Sequence, residues 1–501
     1  MTNSRFLRVA LPVIIVALAM LNTGLVRAET TGYKQEQSMP CKTALKGYGR
    51  TERTAWAQIC AGGPADLQGQ VLNPAFLSEI LSTKAYRDAL SFHGVHILGA
   101  TFKEKLDLSE AVLEHPLKIE QSTFERAPNF NFLRSSRGLS LKGSVLRCPN
   151  AKAPENFVNF QSASLGGHLN LEGVWFACKL DMGRIRVDGA IYLNKLGDDV
   201  REHNAEYTEV TLSNARVVEK LGLEGAKVRG TLDMVRIQVG TDIAMRDKGE
   251  FDKVKLAQAS IGGSLDLTDS TLKSLDLTGT RVKGEFRIGP RSFKETDELR
   301  LSQAVVGSVR SATADTWPQH VDLAGFTYSR VGGFWDDARA RESEPMVKEF
   351  MTWLGKQSER QPYEQLGQAM EKEGYPDEAA EIFYAGRKVE RDKAKSLTWV
   401  WLTMQDWFIG YGYKKWRSII WVISFVIVGA LIFRRTAEAK RYGMPFGIAY
   451  SFDMLLPIVH LRQLHEKIDL EGWQRYYFYF HKIMGYVLAS FVIAGLSGLT
   501  K

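Results

Sequence analysis

LNLEGVWFACKLDMGRIRV, residues 169–187, decides the fold. It holds two copies of one eight-residue phrase, LNLEGVWF from Leu169 and LDMGRIRV from Leu180, apolar at the first, third and eighth positions. The phrase returns as LGLEGAKV from Leu221, LDMVRIQV from Leu232, VKLAQASI from Val254 and LDLTDSTL from Leu265, mostly at steps of eleven. First and third positions point the same way in a strand, so each LxL turns two apolar side chains inward and one polar residue to water. A unit this short cannot bury its own apolar face and must stack on copies of itself.

Followed outward, the phrase spans residues 92–334. It predicts a mainly β chain, a parallel β-helix solenoid with 11-residue half-coils, two to a four-sided coil. Roughly eleven coils would make a rod of about 50 Å at the spacing of stacked strands. Small or turn-forming residues after LxL, such as Gly173, Ala226 and Gly279, are read as corners. A leucine-rich repeat carries one LxL per unit followed by Asn and a helix. Here LxL returns every eleven residues with no helix between.

The register also places the cysteines, Cys41, Cys60, Cys148 and Cys178. LSLKGSVLRC from Leu139 aligns without a gap on LNLEGVWFAC from Leu169, so Cys148 and Cys178 share a phase. Their separation is one coil plus an eight-residue loop around Pro149 and Pro154. A Cys148–Cys178 bridge between coils is expected, because stacked strands lie within disulfide reach, and a Cys41–Cys60 bridge near the rod's start. Four buried thiols are the competing reading.

Residues 1–28 read as a secretion signal: Arg5 and Arg8, an apolar run from Leu11, then Val26 and Ala28 before Glu29. An uncleaved anchor is the other reading, and both export the chain beyond residue 28. Residues 29–91 are a capping region, with helices expected from Thr51 and from Asn73 or Pro74 through Leu90. Solenoids need such an atypical end. Residues 335–395 read as a helical hairpin, in which Tyr363, Leu366, Gly367, Met370, Ala379, Phe383 and Gly386 follow tetratricopeptide spacing.

Residues 396–501 read as a membrane module. An interfacial helix bears Trp399, Trp401, Trp407, Phe408 and Tyr411 ahead of Lys414, Lys415 and Arg417. Spans are expected at 417–433 and 480–499, flanking a re-entrant or interfacial segment at 446–461. From Arg387 onward 17 basic residues face 8 acidic ones, whereas residues 29–386 are net acidic. That distribution favours a bilayer with anionic headgroups as a partner and argues against nucleic acid. Gly485, Gly495 and Gly498 permit close helix packing, within the chain or in a homo-oligomer built through this module.

Chemistry-bearing motifs are sparse. There is no Walker loop, GxSxG, HExxH or paired CxxC. His93 and His96 lack further ligands for a metal, and recurring acids such as Asp266 and Asp276 follow from the repeat. No cofactor, metal or enzymatic activity is expected. Asp453, in the apolar run at 446–461, and His481 are the membrane-functional candidates, with local pairing of Asp453 to Arg462 or His481 as the alternative.

LDLTD, STLKS, LDLTG and TRVKG, read from Leu265, resemble the pentapeptide-repeat proteins, whose faces run small, polar, Leu, x, x. The resemblance implies a right-handed quadrilateral β-helix, with a sixth residue in many alternate faces. More widely, RTERTAWAQICAGGPADLQG, YGYKKWR and YSFDMLLPIVHL resemble a family of bacterial membrane proteins carrying such repeats. Two functions are in view. One is a non-enzymatic inner-membrane-anchored scaffold, multi-pass, presenting a periplasmic β-helix to protein or envelope partners. The other is a subunit of an ion channel or gated pore with the β-helix as sensor, although no carbonyl-filter motif follows the short helix.

Overall fold

The computed structural model describes residues 43–497, apart from 149–156, 197–204, 290–291, 295, 312–316, 319, 332–350, 352–353, 356, 415, 442–446 and 457–460. The expected signal at 1–28 and Cys41 lie outside the described residues. The chain forms a parallel β-solenoid of about ten turns followed by C-terminal helices. One column shows how it is built: Val95, Leu117, Leu139, Leu169, Ile191, Leu221, Ile243, Leu265, Phe286, Val309 and Val331 pair in succession, all parallel. From Val95 to Phe286 these are the first positions of apolar-x-apolar phrases, and all eleven residues are buried. A second inward column stacks aromatic rings, with Phe102 on Phe124 at 4.8 Å and Phe176 on Tyr207 at 5.1 Å.

Most rungs in the column are 22 residues apart, but Leu139 to Leu169 and Ile191 to Leu221 are 30 apart. Two long coils use up chain without adding height, so the rod has about ten turns where uniform coils predict eleven. Cys148 and Cys178 bridge the first long coil, with Cα atoms 5.7 Å apart. Cys60 is also disulfide-bonded. Removing the Cys148–Cys178 bond as a double serine variant frees a 30-residue separation, worth ~3–4 kcal/mol on the chain-entropy account. The expected result is a lower urea midpoint than that of oxidised native protein, with the variant insensitive to added reductant.

The corners differ from their expected residues. Gly173 and Gly279 do have left-handed backbone, but beside Ala226 the left-handed residue is Gly225 (φ 68°), and Ala226 is buried behind it. Elsewhere the same corner is held by Ser162, Arg184, Arg236, Gln258 and Gln303, at φ 57° to 60°. Each corner N–H donates to the carbonyl one coil further on, for example Ser162 to Gly183 at 2.9 Å and Arg236 to Ala257 at 2.9 Å. Inter-coil hydrogen bonds therefore hold a conformation that L-residues rarely adopt. Asp266 and Asp276 serve neighbouring turns, each accepting the N–H and hydroxyl of the threonine two residues on.

The ladder also begins earlier than Phe92. Ala65 and Asp66 pair in parallel with Ile97 and Leu98, and Val71 bridges to Thr101. Helices Pro74–Ser82 and Lys84–Arg87 are thus an excursion from the first coil, broken at extended Thr83. Asn73 caps the first of them by accepting the Ala75 N–H at 2.9 Å, with Pro74 at the position where an N–H is dispensable. Trp56 and Ile59 of the helix Arg50–Cys60 and Phe76, Leu77 and Ile80 of the next are buried with the rod's core.

At the other end the helix Gln361–Lys372 lies along the last coil and satisfies its open edge. Gln357 donates its Nε2 to Val321 O (3.0 Å), Gln361 to Phe326 O (3.1 Å) and Gln365 to Tyr328 O (2.6 Å). In the other direction, Gln361 Oε1 accepts the Gly325 N–H and Glu373 Oε1 the Val331 N–H, both at 3.0 Å. Spacing of four puts Gln361 and Gln365 on one helical face, and Gln357 reaches the same edge from the segment before the helix, so that amides stand in for the strand that would pair next. The helix returns through Pro376–Lys393. Leu366 and Ala379 are buried, and Gly367 and Gly386 lie so close to Phe383 and Tyr363 that a Cβ at either would collide with those side chains.

Candidate functional site

Beyond the hairpin come helices Ser396–Ile409, Trp416–Phe433, Ile448–Leu455 and Trp473–Ser497. Among the described residues, Trp416–Phe433 is the one helix long and apolar enough by composition to cross a membrane. Ile419, Ile420, Ile423, Ile427, Val428 and Leu431 are exposed on it, while Val426, Gly429, Ala430 and Phe433 face the neighbouring helices. The second expected span, 480–499, falls in Trp473–Ser497 and runs past the described residues.

A polar centre joining three helices forms at Asp406, which no sequence motif singles out. Its carboxylate accepts from Tyr384 Oη (2.8 Å), Arg391 Nη1 (2.7 Å) and Arg417 Nη1 (2.9 Å). Arg417 also donates to the Asp406 carbonyl at 2.8 Å and to Tyr384 Oη at 3.2 Å. Tyr384 and Arg391 belong to the hairpin's return helix, and Arg417 to the first turn of the apolar helix. One carboxylate therefore fastens hairpin to apolar helix. Lys388 and Lys414 each place an ammonium 4.7 Å from the centre of the Tyr384 ring, which their positive charge favours.

The chain reaches this arrangement through Gly410, Tyr411 and Gly412, three consecutive left-handed residues. That path buries the Tyr411 ring 5.9 Å from the Tyr384 ring. Burial, then the charge of Asp406, pushes the Tyr411 phenol up to about 12. One signal was available in the sequence: Asp406 is the single acidic residue between Asp392 and Glu438, in a stretch rich in Lys and Arg.

Asp453 and His481 are not brought together. Asp453 accepts the backbone N–H groups of Leu461 (2.6 Å) and Arg462 (3.3 Å) and pairs with His465 Nδ1 at 2.8 Å. Its side chain is fully buried, so the local pairing runs to His465 and the Arg462 backbone. His481 has Nε2 3.0 Å from Ser451 O and Nδ1 3.3 Å from Tyr477 Oη. Donation from Nε2 to the carbonyl leaves Nδ1 to accept from the phenol. No free lone pair then faces the Ser451 hydroxyl, 3.4 Å from Nε2, and serine activation is not built here.

His481 is instead a packing node. A Cβ on Gly429 would run into Ser451 Oγ and His481, and one on Gly485 into the Leu455 carbonyl. Gly485→Val is expected to separate Ile448–Leu455 from Trp473–Ser497, at a cost typical of overpacking, about 1–3 kcal/mol or more. Faster trypsin cleavage in detergent at Lys467 would report it. In the rod, His96 pairs with Glu120 at 3.2 Å while His93 lies against Phe92, so the two histidines serve different neighbours.

No family model matches this chain, and no curated protein or solved structure does either.

Proposed function

We propose that the protein is a non-enzymatic scaffold of the bacterial inner membrane, multi-pass, holding a periplasmic β-helix toward protein or cell-envelope partners. The observation that carries this reading is the Asp406 junction, because it ties the rod's helical cap to the apolar helix through three hydrogen-bonded side chains. With the glutamine edge at the rod end, the chain is fastened by specific contacts from coil to bilayer. The exposed isoleucines of Trp416–Phe433 suit lipid, and Trp473–Ser497, closely packed through Gly485, supplies the second span. The excess of basic residues beyond Arg387 favours anionic headgroups. A bonded Cys148–Cys178 pair fits an oxidising compartment. The pentapeptide-like faces support right-handed, four-sided coils.

The channel reading needs a polar group free to meet an ion. Asp453 is committed to three donors and fully buried, which favours the scaffold. Ion flux through liposomes holding the purified protein is expected to equal that of empty liposomes. Selective conductance lost on Asp453→Asn would overturn the scaffold reading.

A further inference from the structure

Where the rod meets its helical cap, the last coils and the end of Gln361–Lys372 enclose a cleft of about 550 Å³. That is within the usual range for small-molecule sites, roughly 300–1,000 Å³. Its floor is set by strand register: Glu285, Ser308 and Arg330 sit side by side on three successive coils, with Arg310 on the coil of Ser308. Lys372 and Glu373 close it from the helix.

Three cationic side chains, Arg310, Arg330 and Lys372, line the cleft against two carboxylates, Glu285 and Glu373. Glu285 is held by Arg287 at 2.6 Å, from outside the lining, and lies a looser 3.8 Å from Arg310. Glu373 accepts the Val331 N–H and also feels the charge of Arg330. Arg330 and Lys372 make no ion pair among the described residues. The hydroxyls of Ser308 and Ser329 add neutral donors on the same wall. Two guanidinium forks, an ammonium and hydroxyl donors around an open polar volume suit a carboxylate or phosphate group.

We infer that this cleft binds a small anion carrying carboxylate or phosphate groups, gripped by Arg310 and Arg330 from the rod and Lys372 from the cap. The site is independent of any membrane. A ligand there bridges rod and cap, so its binding also stabilises the docking of the hairpin.

The test uses the full chain in detergent, with inorganic phosphate and citrate as probes against chloride at matched ionic strength. Thermal unfolding and calorimetric titration are the readouts. At least one probe is expected to raise the unfolding temperature in a saturable way. The Arg330→Gln/Lys372→Gln variant, checked for native circular dichroism, is expected to bind that probe at least tenfold more weakly. Arg126→Gln, an exposed arginine on a distant coil, should leave binding unchanged. Failure of both probes to bind, equal binding by the double variant, or equal weakening by Arg126→Gln would each overturn the assignment. The last would reveal binding by general surface charge.

Discussion

Replacing Gln361 and Gln365 by leucine is expected to open the last coil and make the rod self-associate. In the native protein these amides donate to Phe326 O and Tyr328 O, and Gln361 also accepts from Gly325. Leucine keeps the helix and much of the side-chain volume but leaves the strand's polar groups facing hydrocarbon. Each buried group left without a partner costs ~1–3 kcal/mol, so two carbonyls come to ~2–6 kcal/mol. Hydrogen exchange over residues 320–331 should quicken by one to several orders of magnitude, and light scattering should show dimers through the exposed edge. Unchanged exchange would mean that apolar contacts alone seat the cap. Gln→Glu at the same positions separates the effects, because it preserves shape and removes the donor.

The second large effect is expected at Asp406→Ala. Breaking a buried ion pair by removing one partner typically costs ~3–5 kcal/mol. Arg391 and Arg417 retain 23% and 29% exposure, so solvent screens part of the loss and about 2 kcal/mol is the better expectation. The readout is limited trypsin digestion in detergent. Cleavage around Lys393 to Lys414 should accelerate while the β-solenoid stays resistant, and Asp406→Asn should fall between. If the alanine variant digests like the native protein, the hairpin is held to the apolar helix by other contacts.

The solenoid was legible because its signal is redundant. LxL at eleven-residue steps repeats a period-two pattern many times, and the Cys148–Cys178 register survived an eight-residue insertion because the phrase resumed in phase. The corners were less so: at Arg184 or Gln258 the left-handed backbone is imposed by inter-coil hydrogen bonds, and nothing about the residue type announces it. The first coil at Ala65 was hidden because two helices separate it from the next. Gln357, Gln361 and Gln365 carry no motif, and a lone helix cannot reveal that a strand edge lies against it. Asp406 was overshadowed by the aromatic residues around it, although its isolation among basic residues is visible in hindsight. Asp453 drew attention as an ionisable group in an apolar run, and its surroundings turn out to be three local donors.

The proposal that the rod is exported and membrane-anchored is tested most directly by a topology map. Compartment-specific reporters fused after Val331, after Lys440 and at the C-terminus are expected to read periplasm, cytoplasm and periplasm. A cytoplasmic reading after Val331 would contradict export of the rod and with it the class of partner proposed.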